Sequence, residues 1–251
     1  MARALVVLCL LAASHGLGKA QDARQIVAEA QRRLRSQSQR YEGLLQVRDS
    51  GGKVADKRWV SERLGSWGQS KIRLRFLAPA EVKGVTLLVI NHPDRASDQW
   101  MFTPAIGRER RIALQDRSTR FFGTDFSFED LEERDVDQFD FRLLGEETVD
   151  GARTWKIESK PRQAKRSQYT HTHLYIRQDN YVAARIDSYQ RDTLVRRLHY
   201  REIERVQGIW TPRLWEMEDL KRGSKTVLRM EKLEYNVPLP EEYFSLAALR
   251  Q

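Results

Sequence analysis

Lys71-Ile72-Arg73-Leu74-Arg75-Phe76 alternates without a break: Ile72, Leu74 and Phe76 fall on one side, Lys71, Arg73 and Arg75 on the other. Period-two alternation is a strand with one packed and one wet face. Just downstream, VTLLVI at residues 85–90 is apolar on both sides, as for a strand inside a sheet. Working outward, residues 41–49, 56–64, 99–103, 139–145, 154–159, 169–177, 181–189, 194–205, 210–220 and 226–235 are strand-like. Turn chemistry separates many of them, at Ser50-Gly51-Gly52, Asp150-Gly151, Gln178-Asp179-Asn180, Gln207-Gly208 and Arg222-Gly223-Ser224. Short strands joined by tight turns form an antiparallel meander, and the lack of long helices between them excludes a parallel α/β sheet. So many strands must curl or close. The fold class expected is mainly β with a few helices (α+β), an incomplete antiparallel β-barrel or curved sheet. No linker, repeat or composition break divides residues 41–251, so one domain is expected over residues 21–251.

Residues 21–40 have helical spacing, with Ala23, Ile26, Val27, Ala30 and Leu34 on one stripe and a start at Asp22 with Gln25. Shorter helical pieces are expected at 127–133 and 240–249. The first twenty residues read as a cleaved secretory signal: Arg3, an apolar run at residues 4–13, then Gly18 and Ala20 at the −3 and −1 positions. Cleavage there removes Cys9, the only cysteine, and so excludes disulfides and thiol chemistry from the mature chain. An exported protein without disulfides fits a bacterial periplasm. The formal charge of +9 then points to anionic lipid head groups or acidic partners, and not to nucleic acid.

Five arginines (Arg108, Arg110, Arg111, Arg117 and Arg120) precede Phe121-Phe122-Gly123-Thr124-Asp125-Phe126. Gly123 lets the chain turn with positive φ, and Ser127 with Asp130 marks a helix start. Two readings stand side by side: a structural corner plugged by aromatics, and a gate or docking surface whose guanidinium groups meet phosphates or an acidic partner. Trp100, Phe102, Phe121, Phe122, Phe126 and Phe128 either line a pocket or form core. His171 and His173 share one face of a strand, with His199 as the later candidate for a third zinc ligand; the other reading is a pair without metal. The charged run at 132–140, with Asp135 and Asp137, reads as a solvated loop. GxSxG, HExxH and P-loop signatures are missing from the sequence.

Gly123-Thr124-Asp125-Phe126-Ser127-Phe128-Glu129-Asp130-Leu131, with Val82-Lys83-Gly84-Val85, Trp100-Met101-Phe102-Thr103-Pro104-Ala105, Arg110-Arg111-Ile112 and the ending Leu239-Pro240-Glu241-Glu242-Tyr243-Phe244, resembles the LolA-like outer membrane lipoprotein-sorting proteins of bacterial periplasms. Phe128 stands where that branch usually has tyrosine, and Val85 where it has threonine. The resemblance implies an incomplete barrel around a hydrophobic cavity, a helical lid, and binding of acyl chains from lipids or lipoproteins. It also implies a link to RND-type exporters, whose genes often lie beside those of this branch. It implies no catalysis and no cofactor. Each buried CH₂ contributes ~0.8 kcal/mol, so a long acyl chain gains on the order of 10 kcal/mol in a dry cavity. The residues expected to line it are Ile72, Leu74, Phe76, Leu88, Ile90, Trp100 and Phe102, which equally suit solid core. The gate or docking motif comprises Arg108, Arg110, Arg111, Arg120, Gly123, Thr124, Asp125, Phe126, Phe128, Glu129 and Asp130. The function expected is a non-catalytic periplasmic carrier serving outer membrane biogenesis; the alternative is an accessory or sensor subunit docking on an RND-type exporter without lipid cargo.

Overall fold

The computed structural model describes residues 22–250; the signal segment read at 1–20, Cys9 included, lies outside them. Helix α1 (Ala23–Arg33) is followed by β1 (Ser38–Arg48), β2 (Val54–Leu64), β3 (Lys71–Ala78), β4 (Thr86–Ile90), β5 (Asp98–Thr103) and β6 (Arg108–Arg111). After a long crossing segment come β7 (Phe139–Val149), β8 (Ala152–Pro161), β9 (His171–Arg177), β10 (Ala183–Gln190), β11 (Thr193–Val206), β12 (Ile209–Asp219) and β13 (Ser224–Tyr235). All belong to one 13-stranded sheet in the order β6-β5-β4-β3-β2-β1-β13-β12-β11-β10-β9-β8-β7. Every pairing is antiparallel, and β1 bonds to both β2 and β13, so the two ends of the meander meet in mid-sheet. β6 and β7 are the open edges, and the intervening 112–138 travels from one edge to the other.

The twelve strands read from the sequence are present, with ends shifted by a few residues. β6 is the addition, and its Arg-Glu-Arg-Arg has no apolar alternation to betray it. Helix α1 is shorter than the 21–40 expected. Asp22 caps it, accepting from the Arg24 N–H at 3.3 Å. It stops because the chain beyond is claimed by the sheet: Ser36 Oγ accepts from Arg63 at 2.8 Å and Ser38 Oγ donates to the Val237 carbonyl at 2.5 Å. The segments expected to be helical at 127–133 and 240–249 form only 3-10 turns at Glu129–Leu131, Glu241–Phe244 and Ala247–Arg250.

Three of the four apolar clusters among the described residues join these parts. The largest joins Leu45, Trp59, Leu74, Phe76 and Leu228 of the sheet to Phe121, Phe126 and Phe128 of the crossing segment. Phe76 stacks on Phe121 at 5.3 Å, and Phe121 meets Phe128 edge-on at 5.3 Å. Gly43 makes room for this: a Cβ there would stand 2.2 Å from Trp59 Nε1. The second cluster seats α1, through Ala23, Ile26, Val27 and Ala30, on Ile157 and Ile176; the two alanines let the helix come close. In the third, Phe244 and Leu249 of the C-terminal turns cover Leu88 on the sheet's reverse face.

Among the described residues no helix is long and apolar enough to cross a membrane.

Candidate functional site

Tyr41, Leu74 and Leu87 from one half of the sheet and Leu174, Ile186 and Leu198 from the other line one cavity of about 350 Å³. A sheet whose two halves face the same cavity is curled around it. Val27, Ala30, Gln31 and Leu34 of α1 close one side, and residues 130–134 of the crossing segment another. Gln31 fastens helix to segment: its Nε2 donates to the Arg134 carbonyl at 2.5 Å and its Oε1 accepts from the Val136 N–H at 3.2 Å.

Strand register arranges the wall in rows. Ile157, Leu174, Ile186, Leu198 and Met217 lie side by side across β8 to β12. Two residues along each strand, about 7 Å away, runs a polar row: Ser159, Thr172, Ser188, Arg196 and Asp219. In the other direction Ile176 pairs with Ala183, and Tyr200 with Trp215. Burial pushes the Tyr200 hydroxyl up to about 12, against the opposing charge of Arg134.

The acidic residues beside the cavity are tied up. Asp130 accepts from Tyr169 Oη at 2.8 Å and from Arg196 at 2.5 Å. Glu132 holds Arg117 at 3.1 Å, Lys165, and Gln99 Nε2 at 2.7 Å. Glu133 faces Arg63 at 3.5 Å and accepts from the Trp67 N–H at 2.7 Å. Glu129 accepts from Ser167 and from the Gln168 N–H. Burial raises the Glu129 and Glu133 carboxyls above the ordinary range in spite of these partners. The start of the 132–140 run is therefore no solvated loop; Glu132 and Asp135 are buried, because the segment passes beneath α1.

Of the residues expected to line a cavity, Ile72 and Leu74 do so. Phe76 is wholly buried in the aromatic cluster. Leu88, Ile90, Trp100 and Phe102 lie on the reverse face beneath the C-terminal turns. The register decides this: Ile72 stands opposite Val89 and Leu74 opposite Leu87, so it is Leu87 and Val89 that face inward. A strand apolar on both sides does not announce its inner face. The resemblance implies a helical lid but names none of the α1 residues, and the β9–β13 wall was not among the residues expected, although the alternation Thr172, Leu174, Ile176 behind the two histidines was there to be read.

The Gly123–Leu131 motif is mostly interior. Gly123 has φ +76°, as its turn requires. Arg120 donates to the Thr124 and Gly123 carbonyls at 2.8 and 2.7 Å and to Asp125 at 3.0 Å. Asp125 is fully buried and binds Ser224 and Thr226 of β13; Thr124, Phe126 and Phe128 are buried with it, and Glu129 and Asp130 are paired as described. Of the arginines expected on a docking surface, Arg108, Arg110 and Arg111 stay exposed on edge strand β6; Arg111 pairs with Asp98. Charge on an edge strand discourages addition of a foreign strand.

His171 and His173 sit on the outer face, and Tyr189 stacks on His171 at 4.6 Å. His199 is not their neighbour; it lies 3.5 Å from Asp150. Glu158, opposite His173 in the β8–β9 register, supplies the third donor instead, all three within 4.8 Å. Sequence spacing contains no trace of that residue. A metal ion would have to displace Arg142 and Lys160, which hold Glu158 at 3.1 and 3.4 Å.

A model of a family of uncharacterized proteins matches residues 68–251. No curated protein matches the chain in sequence. Among solved structures, a DUF1329 family protein from Desulfovibrio piger is 30% identical with a TM-score of 0.86, covering 90% of this chain and 97% of its own. A domain named for outer membrane lipoprotein sorting, from Vibrio parahaemolyticus, is 22% identical with a TM-score of 0.86, over 91% of this chain and 98% of its own. A LolA superfamily protein from Nitrosomonas europaea is 20% identical with a TM-score of 0.70, over 89% and 97%. The last two likenesses carry the fold: an open, curled antiparallel sheet of the LolA type.

Proposed function

We propose that this chain, which belongs to the DUF1329 family, is a periplasmic carrier that holds acyl chains of a lipid or lipoprotein in the cavity between α1 and the curled sheet. The observation that carries this reading is the enclosed apolar wall itself, with the Leu174, Ile186 and Leu198 row facing Ile72, Leu74 and Leu87 across the cavity. Its volume lies within the range of small-molecule sites, and burial of methylenes supplies the binding energy without any bond-making step. The name of the Vibrio protein, for outer membrane lipoprotein sorting, agrees with a lipoprotein-carrying role.

The test is binding of a fluorescent fatty acid to delipidated protein, together with mass spectrometry of what co-purifies. Ile186→Glu, on a half-buried wall position, should weaken binding at least tenfold with the fold intact by circular dichroism. No binding by the wild type, and no lipid in the purified protein, sinks the carrier reading.

The second reading, docking on an RND-type exporter, rests on β6, where Arg108 and Arg110 are exposed and have no ion pair among the described residues. Charge reversal of both that abolishes exporter co-purification but spares lipid binding would favour it.

A further inference from the structure

The cavity wall is not uniformly apolar, and its polar part is incomplete. Every carboxylate at residues 130–133 has a basic partner: Asp130 has Arg196, Glu132 has Arg117 and Lys165, and Glu133 has Arg63. Arg134 is itself part of the cavity lining, and among the described residues it meets no carboxylate. Its guanidinium lies 5.9 Å from the ring centres of both Phe139 and Tyr169, and its Nη1 donates to Thr172 Oγ1 at 3.3 Å. A half-buried cation that meets ring faces, the Thr172 hydroxyl and the nearby Tyr200 hydroxyl, and no carboxylate among the described residues, retains unused donors at a cost in solvation.

Thr172 is the middle of three hydroxyls set side by side by the register, Ser159 on β8 and Ser188 on β10 being its neighbours. Ser159, Thr172 and Ser188 are 3%, 2% and 6% exposed. Ser159 and Ser188 line the cavity, and their hydroxyls have no hydrogen-bond partner among the described residues. A carrier of plain hydrocarbon gains nothing from hydroxyls set into its cavity wall; an anion there accepts from them directly.

We infer that the cargo carries an anionic head, a carboxylate or phosphate, which sits against Arg134 over the Ser159–Thr172–Ser188 row while its acyl chain runs along the Leu174–Ile186–Leu198 row. This deepens the carrier reading and rests on it. The geometry is suited to it: the polar row and the apolar row are adjacent on the same wall, about 7 Å apart, so head and first methylenes are received together. A charge-assisted contact of this kind corresponds to a preference of about tenfold to a hundredfold over a neutral head.

The test compares delipidated wild type with Arg134→Gln and Thr172→Val at pH 8, using oleate, oleyl alcohol and oleoyl lysophosphatidate as competitors of a fluorescent fatty acid. Wild type should take oleate or lysophosphatidate at least tenfold more tightly than oleyl alcohol, and the tighter of the two anions identifies the head. Arg134→Gln should lose that preference while its affinity for oleyl alcohol is unchanged, and Thr172→Val should reduce it severalfold. Equal binding of acid and alcohol by wild type, or a preference that survives in Arg134→Gln, overturns the anionic-head inference and leaves the carrier reading standing. Binding of none of the three overturns both.

Discussion

Asp125 and Thr226, 101 residues apart, exchange two hydrogen bonds: the Asp125 N–H donates to Thr226 Oγ1 at 2.8 Å, and that hydroxyl donates to Asp125 Oδ2 at 2.7 Å. The pair pins the crossing segment to β13 in mid-sheet, with Ser224 and Arg120 on the remaining carboxylate oxygen. A motif that reads in sequence either as a structural corner or as a docking surface thus contains an internal fastener.

Thr226→Val keeps the shape and strands both Asp125 groups in a buried site. It should lower unfolding free energy by about 2 kcal/mol, read as a shift in urea midpoint. Arg110→Ala, on exposed β6, should stay within about 0.5 kcal/mol. Equal effects of the two would mean that the segment is not anchored by this pair.

Gln31 is one clasp between α1 and the crossing segment, beside Arg24, which donates to the Val136 carbonyl at 3.2 Å and pairs with Asp137. Gln31→Ala removes both of its bonds and should cost about 1–2 kcal/mol. The informative reading is kinetic: stopped-flow dissociation of a bound fluorescent fatty acid should accelerate severalfold, because α1 must lift to open that side of the cavity. An unchanged rate with an altered melting temperature would show that cargo leaves elsewhere.

Glu129 sets a pH dependence of unusual sign. Burial raises its folded carboxyl above the ordinary value of 4.5, so the folded state holds the proton longer than the unfolded one. Its contribution is complete below the unfolded value and is lost as pH rises through the folded one. Stability should therefore decline from about pH 4.5 upward, with Glu133 acting in the same direction. Glu129→Gln should flatten that decline in urea midpoints measured from pH 4.5 to 8. Asp98 acts oppositely, held low by Arg95 foremost and by Arg111 and His92 against its desolvation; its contribution is lost as pH falls below the ordinary aspartate range. Identical slopes in wild type and Glu129→Gln would exclude Glu129 as their source.

Alternation and turn chemistry determined most of the β-structure on their own. Ile72, Leu74 and Phe76 had to share a face, and the dipeptides at Asp150-Gly151 and Gln207-Gly208 had to be turns, because these are local consequences of backbone geometry. The apolar stripe of α1 and the positive φ of Gly123 were legible for the same reason. Pairing was not local. Whether Leu87 or Leu88 faces the cavity depends on which residue of β3 each one meets. Whether Glu158 or His199 joins the histidines depends on the β8–β9 register. Burial of the charged stretch at 132–135 depends on α1 lying over it and on basic partners drawn from Arg63, Arg117 and Lys165. The sequence by itself therefore determined that the chain is an antiparallel meander, and its motifs carried the resemblance to the LolA type. Only the tertiary structure decided which side chains enclose the cavity, and that Arg134 lines it with no carboxylate to meet it among the described residues. The physical reason is that charge pairing and face selection are set by contacts between strands and segments far apart in the chain.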